Sequence, residues 1–116
     1  MKKTESPVNK TLAKEIKRLF IQLITDLDKA KDADLFFRDF LTAAEMDTLV
    51  KRLAIAYWLK KGRSYENIKK NLKVSTKVAG SVKKLMGKEG VKLALKKVEA
   101  EEWANKWAGR IRRIIK

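Results

Sequence analysis

Apolar residues recur at intervals of three and four along most of this 116-residue chain, and this spacing is the strongest constraint on its fold. Because an α-helix completes a turn every 3.6 residues, residues spaced in this way form one apolar stripe. The clearest run consists of Leu12, Ile16, Leu19, Phe20, Leu23, Ile24 and Leu27. No alternation of period two, the signature of a β-strand, is sustained in the sequence. The pattern predicts an all-α protein of five or six helices.

Capping residues and glycines divide the first half of the chain into three predicted helices. The first is expected over about 10–29, and a short, strongly buried helix is expected around the apolar group at 35–41. Thr42 and Glu45 form a capping box, in which each side chain satisfies a free N–H at the start of the third helix. That helix is expected to be central, because its stripe is too wide for a surface helix, and to end at Gly62.

Two short helices joined by a tight turn are predicted next. Ser64 caps a helix over about 65–72, and Ser75 caps one over about 76–86. The second helix is expected to turn Val78, Val82 and Leu85 inward and Thr76, Lys77, Gly80, Ser81 and Lys84 outward. Two short helices with such a turn are typical of a helix-turn-helix. The alternative is a helical hairpin whose basic face is simply solvated.

Composition excludes several classes of protein. The chain has no cysteine and no histidine, which rules out thiol nucleophiles, disulfides, zinc sites of the usual kind and imidazole chemistry. No pair of carboxylates lies beside a lysine or serine at a spacing typical of a nucleophile and its base. The longest apolar stretches, such as 54–59, are too short to cross a bilayer, and the N-terminus lacks the apolar segment of an export signal. We therefore expect a cytoplasmic, non-enzymatic protein without a metal or a membrane partner.

The net charge of +15 favours a nucleic-acid partner, because a basic surface binds phosphates by releasing their counterions. A lysine-rich composition without functional meaning is the alternative. Residues 62–86 hold seven bases and one acid, and residues 87–116 hold nine bases and four acids, so most of the net charge lies in the second half. A uniform compositional bias does not predict this asymmetry.

Four motifs between Phe40 and Leu85 occur in the order and spacing of a known family. They are Leu41-Thr42 with Glu45, Leu49-x-x-Arg52-x-x-Ile55, Leu59-x-x-Gly62-x-Ser64 and Ile68-x-x-x-Leu72-x-Val74-Ser75. Through these motifs the chain resembles the Trp repressor family, in particular its YerC-type members. The resemblance implies an all-helical DNA-binding regulator that forms an intertwined homodimer, whose first and last helices wrap around the partner chain.

The resemblance also implies that the helix at about 76–86 enters the major groove of double-stranded DNA. The candidate base contacts are Thr76, Lys77, Gly80 and Ser81, and the candidate phosphate contacts are Lys69, Lys70, Lys73, Ser75, Lys83 and Lys84. A glycine inside a helix costs about 1 kcal/mol relative to alanine, which indicates a close approach of DNA or of another helix, or simple tolerance.

The predicted function is sequence-specific DNA binding by a transcriptional regulator, in the first instance a repressor. The alternatives are a non-specific or architectural nucleic-acid-binding protein, and an adaptor that resembles an antitoxin and binds an acidic protein.

An effector pocket is a further implication of the resemblance. Thr42 and Arg52 match one side of the amino-acid pocket of the Trp repressor, whereas Ser81 stands where the family has a second arginine. One arginine is a poor anchor for a buried carboxylate, so tryptophan is not expected as a corepressor and no cofactor is predicted. The alternative for Arg52 is an ion pair with a local carboxylate, such as Asp47 or Asp39.

The C-terminal segment carries two tryptophans four residues apart, Trp103 and Trp107, before a basic cluster of Arg110, Arg112, Arg113 and Lys116. Such a segment can lie on a membrane surface, contact DNA phosphates, or pack across a dimer with a basic rim. The predicted organisation is a flexible N-terminus at 1–9, a helical DNA-binding domain at 10–98 and a basic C-terminal helix at 99–116.

Overall fold

The structure of the protein, a computed structural model, describes the backbone of residues 8–115 and the side chains of residues 8–102. This part of the chain contains six α-helices and no β-strand. The helices are α1 (Lys10–Asp26), α2 (Ala30–Phe40), α3 (Ala43–Lys60), α4 (Tyr65–Leu72), α5 (Thr76–Lys83) and α6 (Glu89–Ile115). The predicted all-α class is confirmed.

Contacts between residues divide the chain into two units, Met1–Met46 and Asp47–Lys116. Helices α1 and α2 belong to the first unit, α4, α5 and α6 belong to the second, and α3 crosses the division. The domain boundary expected between residues 98 and 99 lies inside α6, which continues across it without a break.

Helix α1 of the first unit forms the apolar stripe that the sequence predicts. The Oδ1 atom of Asn9 caps its start by accepting a hydrogen bond from the Leu12 N–H at 2.8 Å. The helix ends at Asp26, three residues earlier than expected. No side chain between residues 8 and 46 is buried, and Leu19 is 63% exposed. The stripe is therefore an apolar surface that this chain leaves open to solvent.

The prediction that α2 is strongly buried is wrong, since Phe40 is 65% exposed. The Phe36 ring contacts the rings of Phe37 and Phe40, with centroid distances of 5.2 Å and 4.9 Å. These aromatic rings pack against one another along a single helix, which shields each of them only in part. The aromatic content of α2 indicates a need for packing, but it does not show whether another helix covers these rings.

Helix α3 begins at the predicted capping box. The Oγ1 atom of Thr42 accepts from the Glu45 N–H at 3.0 Å, and the Thr42 N–H donates to Glu45 Oε1 at 2.9 Å. The expectation of a central helix holds only for its C-terminal half, where Ile55 and Ala56 are buried. The exposed apolar residues of its first half include Leu49, Val50 and Leu53.

One small core holds the second unit together, and it is formed by α4, α5, α6 and the part of α3 that lies in this unit. The buried side chains are Ile55 and Ala56 of α3, Ile68 of α4, Ala79 and Val82 of α5, and Leu95 of α6. Half-buried residues that pack around this core include Trp58, Leu72 and Val91. Because α4 and α5 reach the core through so few side chains, each of these contacts helps to fix the position of both helices.

Two expectations for α5 need correction. The helix ends at Lys83 instead of continuing to Met86, because turns occupy residues 84–87. Val78 does not face inward: it is 44% exposed, whereas its neighbour Ala79 is fully buried. The inner line of this eight-residue helix passes through Ala79 and Val82, which are three residues apart, and the small alanine lets neighbouring side chains approach closely.

Replacement of two valines of α5 tests this assignment. Val82 is 3% exposed, so Val82→Ala removes buried methyl groups and should lower the free energy of unfolding by about 2 kcal/mol. Val78→Ala makes the same chemical change at an exposed position and should alter it by about 0.5 kcal/mol or less. Urea denaturation followed by circular dichroism measures both values. Equal losses in the two variants would contradict the assigned rotation of α5.

Candidate nucleic-acid interface

The junction between α3 and α4 fixes the direction in which α4 leaves the core. Gly62 adopts a φ of +87°, a left-handed conformation that favours glycine. The Gly62 N–H donates to the Leu59 carbonyl, and the Arg63 N–H donates to the Trp58 carbonyl, each at 3.0 Å. These two bonds form a Schellman motif, which satisfies carbonyls left free at the end of α3. The junction is thus closed by backbone hydrogen bonds as well as by the core.

Serine caps set the starts of α4 and α5, as the sequence predicts. The Oγ of Ser64 accepts from the Asn67 N–H, and the Oγ of Ser75 accepts from the Val78 N–H, each at 3.1 Å. Between the two helices Lys73 adopts a left-handed conformation, with φ 57° and ψ 48°. It is the one non-glycine residue with positive φ in the described part of the chain. This conformation ends α4, and within three residues the chain enters α5, which packs against α4.

The structure places the candidate base-contact residues together on the outer side of α5. Thr76, Lys77 and Ser81 are exposed, and Gly80 is half-exposed. They lie opposite Ala79 and Val82, the residues that hold α5 to the core. This outer side is slim, because only Lys77 carries a long side chain within the helix up to Ser81. Such a profile suits a helix that must enter a groove of DNA.

Serine hydroxyls on this surface are already engaged with the backbone. The Ser81 hydroxyl donates to the Val78 carbonyl at 2.7 Å, so its oxygen can only accept a further hydrogen bond in this conformation. Ser75 uses its oxygen as the cap of α5, and its hydroxyl hydrogen remains available to a phosphate oxygen. Lys77 therefore carries the strongest free donor on the outer side of α5.

Cations of this region lack the carboxylate partners that neighbouring cations have. Lys51 pairs with Asp47 at 3.2 Å, Lys60 with Glu99 at 3.1 Å and Lys61 with Glu102 at 3.4 Å. Within residues 8–102, none of the seven cations of residues 62–86 has a carboxylate within 4.0 Å. These cations are Arg63, Lys69, Lys70, Lys73, Lys77, Lys83 and Lys84, and all are exposed. Their uncompensated charge gives α4 and α5 a surface that attracts anions.

A polar cluster ties the end of α3 to α6 beside this surface. The Tyr57 hydroxyl donates a hydrogen bond to Glu102 Oε1, and the Lys61 ammonium lies 5.4 Å from the centre of the Tyr57 ring. The hydrogen bond to Glu102 raises the pKa of Tyr57, and the hydrogen bond with Tyr57 raises the pKa of Lys61. Together with the ion pair between Lys60 and Glu99, the cluster holds the junction that precedes α4.

The two candidates for an effector pocket lie in different units of the chain. In the first unit, the Thr42 hydroxyl oxygen is occupied as the cap of α3. In the second unit, Arg52 is exposed and lines a groove of about 210 Å³. The other lining residues of that groove are Leu49, Leu53, Ala56, Val82, Leu85, Gly90, Val91 and Ala94. A single cation at the rim of an apolar groove leaves a carboxylate without its second anchor.

The expected local partner of Arg52 is not found. Asp47 pairs with Lys51, and Asp39 contacts Arg38 at 3.7 Å. Within residues 8–102, no carboxylate lies within 4.0 Å of the Arg52 guanidinium. Lys51 follows Asp47 by four residues and lies on the same side of α3, whereas Arg52 follows it by five. The helix therefore favours the ion pair with Lys51.

The candidate residues of the C-terminal segment lie outside the described side chains. These are Trp103, Trp107, Arg110, Arg112, Arg113 and Lys116, and the structure gives only the helical backbone up to Ile115. In the described part, no group of acidic residues could hold a metal ion, and no helix is both long and apolar enough to traverse a bilayer.

The sequence interpretation missed Arg63 as a member of this surface. Its guanidinium carbon lies 4.0 Å from the centre of the Trp58 ring, and its Nη1 donates to Asn67 Oδ1 at 3.1 Å. The preceding glycine predicts a turn, and helical spacing does not give the direction of a side chain in a turn. The sequence pattern that indicates this contact is an arginine five residues after a tryptophan, with the end of a helix between them.

Taken together, the fold and this surface define a small all-α protein in which a basic pair of short helices shares one core with α3 and α6. Comparison with known proteins extends the definition. The family model described as "Trp repressor protein" matches residues 15–99, a range that begins inside α1 and ends inside α6. The chain belongs to the Trp repressor family, a family of DNA-binding regulators.

A relative of this chain is the protein named "Uncharacterized protein YerC" of Bacillus subtilis (strain 168). The two are 29% identical over 97 residues, which cover 82% of this chain and 92% of the relative. No solved structure matches the chain significantly. The family match is wider than the motifs at 40–85 suggested, and it ends before the tryptophans of the C-terminal segment.

Gly80 offers a test of whether neighbouring helices require a glycine. A Cβ atom built on Gly80 meets no heavy atom within 4 Å. Gly80→Ala should therefore raise the free energy of unfolding by about 1 kcal/mol, the difference in helix propensity. Thermal unfolding of the purified protein measures this change. A loss of stability would show that another helix does approach Gly80 closely.

Proposed function

We propose that this protein binds specific sites on double-stranded DNA and regulates transcription, with α4 and α5 acting as a helix-turn-helix. The observation that carries the proposal is the pair of serine-capped helices joined at Lys73. Their inner sides share one core, and the two helices with the residues that flank and join them carry seven exposed cations without carboxylate partners in the described part of the chain. Membership of the Trp repressor family supports the same function.

In the proposed complex α5 enters the major groove and α4 crosses the sugar-phosphate backbone. Lys77 is the leading candidate for a base contact, because a lysine can donate to the O6 and N7 atoms of guanine. Thr76, Gly80 and Ser81 complete the slim side of α5 that faces the bases. The proposed phosphate contacts are Lys69, Lys70, Lys73, Ser75, Lys83 and Lys84. These contacts supply affinity and register, while base contacts supply sequence preference.

We further propose that the protein acts as a homodimer. Helices α1 and α2 expose apolar residues along their lengths, and no side chain of residues 8–46 is buried. A helix of 17 residues is marginal in water unless its apolar face is packed. A second copy of the chain can cover this face through the same residues on both partners. Two copies would also present two α5 helices to a palindromic site.

The proposed role of α5 predicts the effect of reversing one charge. Lys77→Glu should weaken binding to a selected duplex by tenfold or more, because a base contact is lost and a carboxylate faces the phosphates. Lys31→Glu makes the same charge change on exposed α2 and should have little effect. Fluorescence anisotropy of a labelled duplex measures both affinities, and circular dichroism verifies folding. Equal affinities of the two variants would contradict α5 as the recognition helix.

Selection of bound duplexes from a random pool provides the matching sequence for that measurement. A symmetric consensus is the expected result for a dimeric regulator. Steep salt dependence without preference among duplexes would instead indicate an architectural protein, a reading that the charge of +15 also favours. Absence of DNA binding, with recovery of a stoichiometric acidic protein after nuclease treatment, would indicate an adaptor.

The dimer proposal predicts a change of mass. Light scattering after size exclusion should give the wild-type protein twice the mass of one chain. Leu19→Glu places a charge on the exposed apolar stripe of α1 and should yield monomers or unfolded chains, because burial of that charge is costly. Gln22→Glu introduces the same group at an exposed polar position of α1 and should leave the dimer intact. A wild-type monomer would refute the proposal.

A further inference from the structure

Arg63 stands out among the cations at the start of α4 because its side chain is held in place without a charged partner. Lys60 and Lys61, the preceding cations, pair with Glu99 and Glu102 of α6. Arg63 has no carboxylate within 4.0 Å in the part of the chain whose side chains are described. The junction thus neutralises two cations and leaves a third exposed to solvent.

Three contacts hold Arg63, one through its backbone and two through its guanidinium. Its backbone N–H closes the Schellman motif with the Trp58 carbonyl. Its guanidinium carbon lies 4.0 Å from the centre of the Trp58 ring, and Nη1 donates to Asn67 Oδ1 at 3.1 Å. In Schellman motifs the corresponding contact frequently joins two apolar side chains. A cation in this place retains the packing and adds an oriented charge.

The geometry leaves most donors of Arg63 free. A guanidinium has five N–H groups in one plane, and a contact with an aromatic ring uses its face. Asn67 takes one of the five in the described contacts, so the remaining edge can bind an anion with two acceptor oxygens. Because the side chain is already ordered, binding costs less conformational entropy than it would for a freely rotating lysine.

Arg63 also continues a row of proposed contacts along α4. Arg63 precedes α4 by two residues, and its bond to Asn67 holds the guanidinium at the first turn of that helix; Asn67 and Lys70, three residues apart, lie on one side of α4, and all three residues are exposed. In a helix-turn-helix the first helix crosses the DNA backbone.

We propose that Arg63 binds a DNA backbone phosphate, with its guanidinium preset for that contact by Trp58 and Asn67. The inference rests on the proposed DNA-binding function and adds a phosphate contact at the start of α4. It also assigns Trp58 a positioning role, because this residue packs against the core and its ring contacts the guanidinium.

The salt dependence of binding separates a phosphate contact from a purely structural role. Each phosphate contact contributes about 0.9 to the slope of log affinity against log salt concentration. Arg63→Gln should reduce the magnitude of that slope by about 0.9 and weaken binding about tenfold at low salt. Arg38→Gln removes the same charge from exposed α2 and should leave the slope unchanged. Anisotropy of a labelled mixed-sequence duplex across a potassium chloride series measures these slopes.

Arg63→Lys tests the preset geometry with the charge retained. A lysine ammonium has neither a planar face for the indole nor a forked set of donors. We expect this variant to keep the wild-type slope and to bind several-fold more weakly. Wild-type affinity in Arg63→Lys would overturn the role of Trp58, and this comparison remains decisive if Arg63→Gln fails to fold.

The outcomes distinguish this inference from the function on which it rests. If the wild-type protein shows no salt-dependent DNA binding, the proposed function itself fails. If the wild type binds and Arg63→Gln keeps the wild-type slope, Arg63 does not contact a phosphate, even where its affinity is reduced. A smaller slope in Arg63→Gln alone supports the phosphate contact.

Discussion

The packing of Ile68 with Ala79 and Val82 is the interaction on which the rest of the second unit depends. Helices of eight residues cannot persist alone in water, because too few hydrogen bonds repay the ordering of their backbone. Their position therefore comes from a core of six buried side chains contributed by four helices. The small volume of Ala79 permits close packing at that core, and the serine caps and the Schellman motif complete the backbone hydrogen bonds around it.

The cations around this core form two groups, one paired with carboxylates and one unpaired. Cations at the end of α3 are paired with carboxylates of α6. On α4 and α5 the cations are left without carboxylates in the described part of the chain. Mutual repulsion there costs some stability, and a polyanion that binds this surface relieves it. Arg63 lies between the paired cations and the unpaired ones, and it contacts an aromatic ring instead of a carboxylate.

The sequence predicts most of the helices because local signals define them. The Thr42 and Glu45 box, Gly62, Ser64 and Ser75 act through hydrogen bonds to nearby residues, so their effects can be inferred from spacing alone. The rotation of α5 could not be inferred, because Val78 and Ala79 are both compatible with an apolar stripe and only the neighbouring helices decide between them. Burial of α2 was overestimated for a related reason. Three phenylalanines show a need for packing, and they do not show which surface meets it.

The left-handed conformation of Lys73 has a consequence for how this turn can evolve or be engineered. A non-glycine residue pays about 1–2 kcal/mol to adopt it, so glycine is the residue that would relax the backbone. Glycine would also remove one cation from the surface proposed to meet the DNA backbone. Stability thus favours glycine at position 73, whereas the proposed binding favours lysine. Selection for heat resistance alone is expected to replace Lys73 by glycine.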